Sequence, residues 1–313
     1  MAEPNKSKKY PIINNAAKPN KLMGQNFLRD KNVLNKIIAT ANLTKDDCVL
    51  EVGPGLGVLT RELAKYAGQV IAVEKDKNLA IQLKEEFKNN KNAEIIEDDI
   101  LEFLKTSAQD GSASGGKNYK LQTTYKVVAN IPYYLTSHLI RLLLESKTPP
   151  TEIILLIQKE VAKRICARPP EMSLLAVSVQ FYADVKIIAS VSKKAFRPQP
   201  KVDSAIIRIT PHAICHPERS EGSKKDSSRL AEARAKRAAA PQNDKINIEN
   251  FFRVVRAGFS HPRKQLLGNL SGGLKMEKEK IISALQAANL SPQQRAETLT
   301  VNDWLNVAEL LKP

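Results

Sequence analysis

The sequence predicts an α/β protein, with a Rossmann-like, doubly wound and mostly parallel sheet followed by a small all-helical C-terminal domain. Five short apolar runs alternate with segments of helical periodicity between residues 48 and 157. A glycine-rich turn follows the first run directly, and beyond residue 245 every apolar stripe has helical spacing. At 313 residues and 42% hydrophobic content, the chain can bury one large core and a smaller one.

Residues 1–20, rich in Lys, Asn and Pro, predict a flexible basic tail because they hold too little apolar surface to offset ordering. Asp30 is an N-cap candidate, and after it Val33, Leu34, Ile37, Ile38 and Ala41 share one helical face. Strands are expected over Cys48 to Gly53, Val70 to Glu74, Ala93 to Ile96, Lys126 to Ile131 and Ile153 to Ile157. Leu59 to Tyr66, Leu79 to Phe87 and Ser137 to Leu144 supply the crossover helices. Two stretches read as surface insertions: residues 106–120, rich in Ser, Gly and Ala, and the low-complexity residues 212–245. Within the second, Leu230 to Ala240 has the propensity for a short solvated helix. Ala205 to Ile209 is strand-like, and it closes a large domain expected over residues 21–211. In residues 246–313 the helical stripes are Phe251, Phe252, Val255 and Phe259, then Leu266, Leu267 and Leu270, then Ile281, Ile282 and Leu285, and last Trp304, Leu305, Ala308 and Leu311.

Forty-nine Lys and Arg against 33 Asp and Glu give a net charge of +16, which favours a polyanionic partner, nucleic acid first, although a solubilising surplus would look the same. Cys48, Cys166 and Cys215 are odd in number and widely separated, which argues against a disulfide framework. The four histidines show no ligand spacing with Cys or Asp, so no metal is expected. No run approaches the eighteen or so apolar residues of a membrane span, and no signal-peptide core follows the N-terminal lysines. A cytoplasmic chain without membrane attachment is expected.

Glu51-Val52-Gly53-Pro54-Gly55-Leu56-Gly57 lies between a strand and a helix, where glycines let a ligand approach bare backbone. A nicotinamide fingerprint also places glycines there, but the Gly-x-Gly-x-x-Gly spacing is missing. The second strand ends in Glu74, positioned to accept from two ribose hydroxyls. The third ends in Asp98-Asp99, either of which can accept from an adenine amine, or simply be solvated. The fourth ends Asn130-Ile131-Pro132-Tyr133-Tyr134. An Asn side-chain oxygen and a nearby carbonyl can accept both protons of adenine's exocyclic amine, orienting a weakly nucleophilic nitrogen for attack on a methyl group. Pro132 stiffens the turn, and an adjacent Tyr offers a stacking face to an extruded base. A buried corner with an aromatic plug would give the same local pattern.

These motifs, in this order, resemble the small-subunit ribosomal RNA adenine dimethyltransferases of the rRNA adenine N6-methyltransferase family. Gly24 to Leu28, Glu51 to Gly57, Asn130 to Tyr133 and Phe196 to Ser204 carry the resemblance, with Gln158 to Ala162 and Phe259 to Leu270 extending it over most of residues 21–311. It implies a class I methyltransferase sheet that binds S-adenosyl-L-methionine. It also implies cofactor contacts from Asn26, Leu28, Gly53, Glu74, Asp99 and Asn130, with Asp99 preferred to Asp98 because Ile100 and Leu101 follow it. Tyr133 and Phe196 would sandwich the target adenine, and Asn130 and Pro132 would complete the catalytic turn. Lys193, Lys194, Arg197 and Lys201 surround the Phe196 loop, and Arg263 and Lys264 lie in the helical domain, as phosphate-binding cations. The implied substrate is two adjacent adenosines near the 3′ end of 16S rRNA, in a pre-30S particle, with the protein a monomer acting in small-subunit biogenesis.

The chain also departs from that family. Arg168 to Leu175 replaces a Gly-rich turn, Pro262-Arg263-Lys264 has one cation fewer than the usual cluster, and residues 212–245 have no counterpart. Three other readings compete: a non-catalytic RNA-binding assembly factor, a large-subunit rRNA adenine methyltransferase, and a nicotinamide-dependent oxidoreductase.

Overall fold

The first helix begins where the sequence places its cap. Asp30 accepts from the N–H groups of Asn32 and Val33 at 2.8 and 3.3 Å, satisfying donors that have no partner within α1 (Lys31–Ala41). Leu34, Ile37 and Ala41 on its inner face are buried. A two-residue strand, β1 (Phe27–Leu28), precedes it. The computed structural model describes residues 25–107, 121–122, 124–212 and 247–312. The tail expected at residues 1–20 and nearly all of both insertions lie outside them. Thr106 and Ser107, expected to open the first insertion, end a helix instead, and the Thr106 hydroxyl donates to the Glu102 carbonyl at 3.1 Å. His212, expected to open the second, still donates its N–H to the Tyr182 carbonyl at 2.8 Å.

Each expected strand forms: β2 (Cys48–Val52), β3 (Gln69–Glu74), β4 (Ala93–Glu97), β5 (Lys126–Asn130) and β6 (Glu152–Gln158). All five run parallel, joined in part by α2 (Val58–Tyr66), α3 (Lys77–Phe87), α4 (Ile100–Ser107) and α5 (Thr136–Glu145). Beyond β6 come α6 (Lys159–Ile165), α7 (Leu174–Tyr182), β7 (Ala183–Val191), β8 (Phe196–Arg197) and β9 (Ser204–Pro211). The seven-stranded order is β4-β3-β2-β5-β6-β9-β7, with β9 antiparallel to both of its neighbours. The order reverses between β2 and β5, which opens a crevice at their carboxyl ends.

Alternate residues of each strand enter different cores. Leu50, Ile71, Val127, Leu155 and Ile207 face one side, while Val49, Val70, Val128, Leu156 and Ile206 pack with α1 and α2 on the other. The sequence pattern did not reveal β7. It follows α7 with no Gly or Pro between them, and a bulge at Ile187/Ala189 interrupts its alternation.

The C-terminal stripes form α8 (Ile248–Gly258), α9 (Leu266–Leu274), α10 (Lys278–Ala287) and α11 (Val301–Leu310). Their buried faces join α7 and one side of the sheet in a continuous apolar cluster; Phe251 stacks on Phe181 at 4.3 Å between ring centroids. Trp304 is fully buried, and its indole lies against Gly258 so closely that an added Cβ would sit 2.2 Å from a ring carbon. Gly258→Ala should therefore lower the stability of the folded chain by about 1–3 kcal/mol through overpacking, read as a reduced midpoint in urea with an unchanged slope.

Candidate active site

At the carboxyl end of β2 the chain turns into α2 through Gly53, Gly55 and Gly57, at φ +66°, +59° and +71°. These are left-handed conformations that a side chain would strain. The turn is fastened to β3. Gly53 N–H donates to the Val73 carbonyl at 2.9 Å, and Gly55 N–H donates to Glu74 Oε2 at 2.9 Å. Glu74 Oε1 accepts from the Asp76 N–H, also at 2.9 Å. Burial pushes the Glu74 carboxyl up from its usual range, while these two N–H groups pull the other way. Each oxygen retains a lone pair for a ligand hydroxyl.

The N-terminal segment crosses the mouth of this turn. Leu28 pairs with Phe196 and Phe27 with Arg197, and the Phe27 ring lies about where a Gly55 side chain would be, 3.0 Å from an added Cβ. Asn130, the last residue of β5, donates from Nδ2 to the Asn26 carbonyl at 3.1 Å. Its amide oxygen is thereby left as the acceptor facing other partners. The Pro132 carbonyl accepts from Leu135 N–H at 3.0 Å, which fixes the turn while leaving a second lone pair.

Asn26, Leu28, Gly53, Glu74, Asp99 and Asn130 all line one cleft, together with Pro132 and Tyr133. Asp98 lines it too. Asp99 Oδ1 accepts from Leu101 N–H at 2.9 Å and Oδ2 pairs with Lys75 at 2.7 Å. Burial raises the Asp99 carboxyl, but Lys75 and that N–H outweigh it and hold the group below its ordinary value. Tyr133 is half-buried, its hydroxyl 2.9 Å from Ser204 Oγ at the start of β9; burial raises its pKa against the opposing pull of Ser204. Among the described residues no cluster of three or more His, Cys, Asp or Glu could hold a metal, and no helix is long and apolar enough to cross a membrane.

Phe196 is a correction. Expected as the second wall of an adenine sandwich, it does not line the cleft; it is 4% exposed and packs in the core with Leu28, Leu34 and Val191. Its ring shares that cluster with Leu28, the residue it pairs with on β1. The exposed aromatic at the cleft is Tyr134, at 65%, which the sequence motif left without a role because Tyr133 alone matched it. Lys194, Arg197, Lys201, Arg263 and Lys264 are exposed and Lys193 is half-buried. The loop carrying Arg263 and Lys264 is held by the buried Asn269, whose Nδ2 donates to the Gly258 and His261 carbonyls at 2.7 and 3.0 Å. The departing loop after Arg168 is tied to the helical region, with Met172 N–H donating to the Glu297 carbonyl at 3.0 Å.

Sequence reasoning gave Glu51 no role beyond its place in the glycine-rich motif. It is 1% exposed, it lines the cleft, and its Oε2 has no hydrogen-bond partner. Burial pushes its carboxyl up to about 8; the adjacent Glu74 adds to this, while Thr60 and Arg61 oppose it. The signal was available as one acid inside the apolar run Cys48-Val49-Leu50-Glu51-Val52. An acid whose folded pKa lies above its unfolded value stabilises the fold most below the unfolded pKa and progressively less as pH rises to the folded one. Between pH 4.5 and about 8 the wild-type chain should thus lose stability relative to Glu51→Gln by up to roughly 1.4 kcal/mol per pH unit. Urea titrations of both proteins across that range check this, and parallel pH profiles would place Glu51 as an anion throughout.

Comparison with known proteins agrees with this geometry. The sequence profile of the ribosomal RNA adenine dimethylase family matches residues 16–222. A ribosomal RNA small subunit methyltransferase A of Dehalococcoides mccartyi is 42% identical over 287 residues, 92% of this chain and 86% of the relative. Its counterpart in Clostridioides difficile is 34% identical over 93% of this chain and 90% of the relative. Among solved structures, the 23S rRNA methyltransferase ErmE superposes with a TM-score of 0.65 at 27% identity, covering 91% of this chain and 99% of that one. A dimethyladenosine transferase from Plasmodium falciparum, at 23% identity and a TM-score of 0.64 over 90% and 95% of the two chains, shares the fold. With the glycine turn, the strand-end acids and the Asn130 turn gathered in one cleft, and with relatives this similar along almost its whole length, the chain belongs to the ribosomal RNA adenine dimethylase family.

Proposed function

We propose that the chain transfers methyl groups from S-adenosylmethionine to N6 of two adjacent adenosines near the 3′ end of 16S rRNA, yielding dimethyladenosines as a step in small-subunit biogenesis. The observation that carries this reading is the Asn130 amide, whose nitrogen is committed to the Asn26 carbonyl so that its oxygen is free to accept. The relatives at 34–42% identity are named for the small subunit, whereas the 23S enzyme is 27% identical, which favours the small-subunit substrate over the large.

The residues of the cleft fit the cofactor. Its ribose would bind Glu74, its adenine Asp99 and the backbone beside it, and its remainder the Gly53 turn under Asn26 and Leu28. S-adenosylmethionine supplies an electrophilic methyl group. The chain supplies orientation and charge: Asn130 Oδ1 and the Pro132 carbonyl accept the two protons of the target amine, so that its lone pair points at the acceptor carbon and the developing positive charge is stabilised. Tyr133, braced by Ser204, and the exposed Tyr134 offer faces for an extruded adenine. Lys193, Lys194, Arg197 and Lys201, with Arg263 and Lys264 on the helical domain of residues 246–313, would meet rRNA phosphates in a pre-30S particle. We take the protein to act as a cytoplasmic monomer.

Asn130→Ala should cut the rate of methyl transfer on the order of a hundredfold or more while leaving rRNA binding intact, as read by tritium transfer to purified small subunits and by filter binding. Label entering large subunits alone would reverse the choice of substrate, and full activity in the variant would remove Asn130 from the chemistry. Replacing Lys194, Arg197 and Lys201 together with Gln should weaken binding across RNA sequences and flatten the slope of log affinity against log salt by roughly 0.7–0.9 for each phosphate that is no longer neutralised.

A further inference from the structure

Among the described residues three aromatic side chains line the cleft: Phe27, Tyr133 and Tyr134. Phe27 lies over Gly55 on the glycine turn, which leaves the two consecutive tyrosines for the target side. The Tyr133 hydroxyl is 2.9 Å from Ser204 Oγ, and Ser204 is fully buried, in register with Gln158 of β6 and Val191 of β7. The inner ring is thereby pinned at both ends. Tyr134 is instead the most exposed large hydrophobic side chain among the described residues. Its backbone is nevertheless fixed. Tyr133–Leu135 is a single 3-10 turn, closed by Leu135 N–H on the Pro132 carbonyl at 3.0 Å and by the Thr136 hydroxyl on the Tyr133 carbonyl at 3.1 Å. Leu135 and Thr136 are buried and root this turn in the core, so the Tyr134 ring is held out at the cleft mouth by rigid backbone. With three residues per turn, successive side chains of such a helix diverge by roughly 120°. Tyr133 and Tyr134 are therefore not opposite walls for one base; each offers its face to a different one. The cation near Tyr134, Lys75, is already paired with Asp99 at 2.7 Å, so this edge of the cleft presents a ring rather than a free charge.

We propose that Tyr134 stacks on the neighbour of the reacting adenosine while Tyr133 holds the reacting base itself, which makes Tyr134 a specificity-determining residue for a pair of adenines. The inference rests on the assignment of two adjacent adenosines as the substrate. When one base is extruded, the next in the chain loses a stacking partner, and an exposed ring at the mouth of the cleft replaces it. The face gained is larger for a purine than for a pyrimidine, so the neighbour is selected by ring size, without a hydrogen bond to its edge.

The test uses the full chain, S-adenosylmethionine, and small subunits reconstituted with unmethylated rRNA in which one target adenosine is kept and its neighbour is either adenosine or uridine. Methylation of the kept adenosine is followed by mass spectrometry of the fragment that contains it. Wild type should act roughly tenfold faster beside adenosine than beside uridine. Tyr134→Ala should show the slower rate with both neighbours, and Tyr134→Phe, which keeps the ring, should restore the difference. A purely structural role would slow both substrates in proportion and leave their ratio unchanged, so an equal neighbour effect in wild type and Tyr134→Ala would overturn the proposal. A wild-type rate indifferent to the neighbour would overturn it too, and that comparison needs no variant to fold. Weaker S-adenosylmethionine binding by Tyr134→Ala in calorimetry, with the neighbour effect intact, would place the ring on the cofactor and overturn it as well. Absence of methyl groups from both adenosines after incubation with wild type, folded by circular dichroism, would instead sink the substrate assignment itself.

Discussion

The cleft depends on one carboxylate. Glu74 takes a hydrogen bond from Gly55 on one oxygen and from Asp76 on the other, and so ties the turn after β2 to the loop after β3. Two backbone donors that would otherwise face an open crevice are satisfied, and the left-handed glycine turn is held in the single shape a ligand can use. Asp76 is in turn the N-cap of α3, accepting from Asn78 and Leu79, so the anchor passes from the glycine turn into the helix that covers the sheet. A carboxyl in this position serves folding first. Its remaining lone pairs are pre-aimed because its first ones are committed to backbone.

The N-terminal segment solves a complementary problem. A glycine turn bare enough for a ligand is also bare to water, and Phe27 lies directly over Gly55. The segment is held by the two-residue pairing with β8, by Arg29 N–H on the Ala195 carbonyl at 2.8 Å, and by Asn130 on Asn26. Such a short ribbon has little stability of its own. Its fixing depends on Leu28 and Phe196, both buried, and this explains why Phe196 serves as a core side chain in this state. Asn26, next to that pairing, accepts from the Asn130 amide, so the segment over the glycine turn and the end of β5 are coupled through a single backbone carbonyl.

Much of this was legible in the sequence, for physical reasons that can be named. The parallel strands were visible because they are buried on both faces and therefore read as apolar runs; Ile153 to Ile157 is fully buried. The strand-end residues Gly53, Glu74, Asp99 and Asn130 were legible because the topology places every carboxyl end at one crevice. The rest depends on long-range placement. Whether Phe196 faces the cleft or the core is decided by pairing with Leu28, almost 170 positions away, and no local pattern encodes that choice. β7 was hidden because one face is partly exposed and a bulge breaks its period. Glu51 was in plain view but silent, since an acid in an apolar run reports burial only after the sheet order is known.

The placement of charge separates the two tasks of the surface and the cleft. The chain carries +16 overall, yet among the described residues its cleft is lined by Glu51, Glu74, Asp98 and Asp99 against the single cation Lys75. An acidic cleft in a basic protein would be a poor place for a polyanion and a good one for a cationic ligand. The exposed cations Lys194, Arg197 and Lys201 stand outside it on the β7–β9 connection, which is itself fastened where Lys193 N–H donates to Asp203 at 3.0 Å. A polyanion would be drawn to such a rim and repelled from such a floor. A single uncharged base, detached from its stack, is the part of the polymer that can cross that boundary at the lowest electrostatic cost. On the proposed function, selection of a base over its backbone would begin with the sign of the charge at each depth, before any hydrogen bond to the adenine is made.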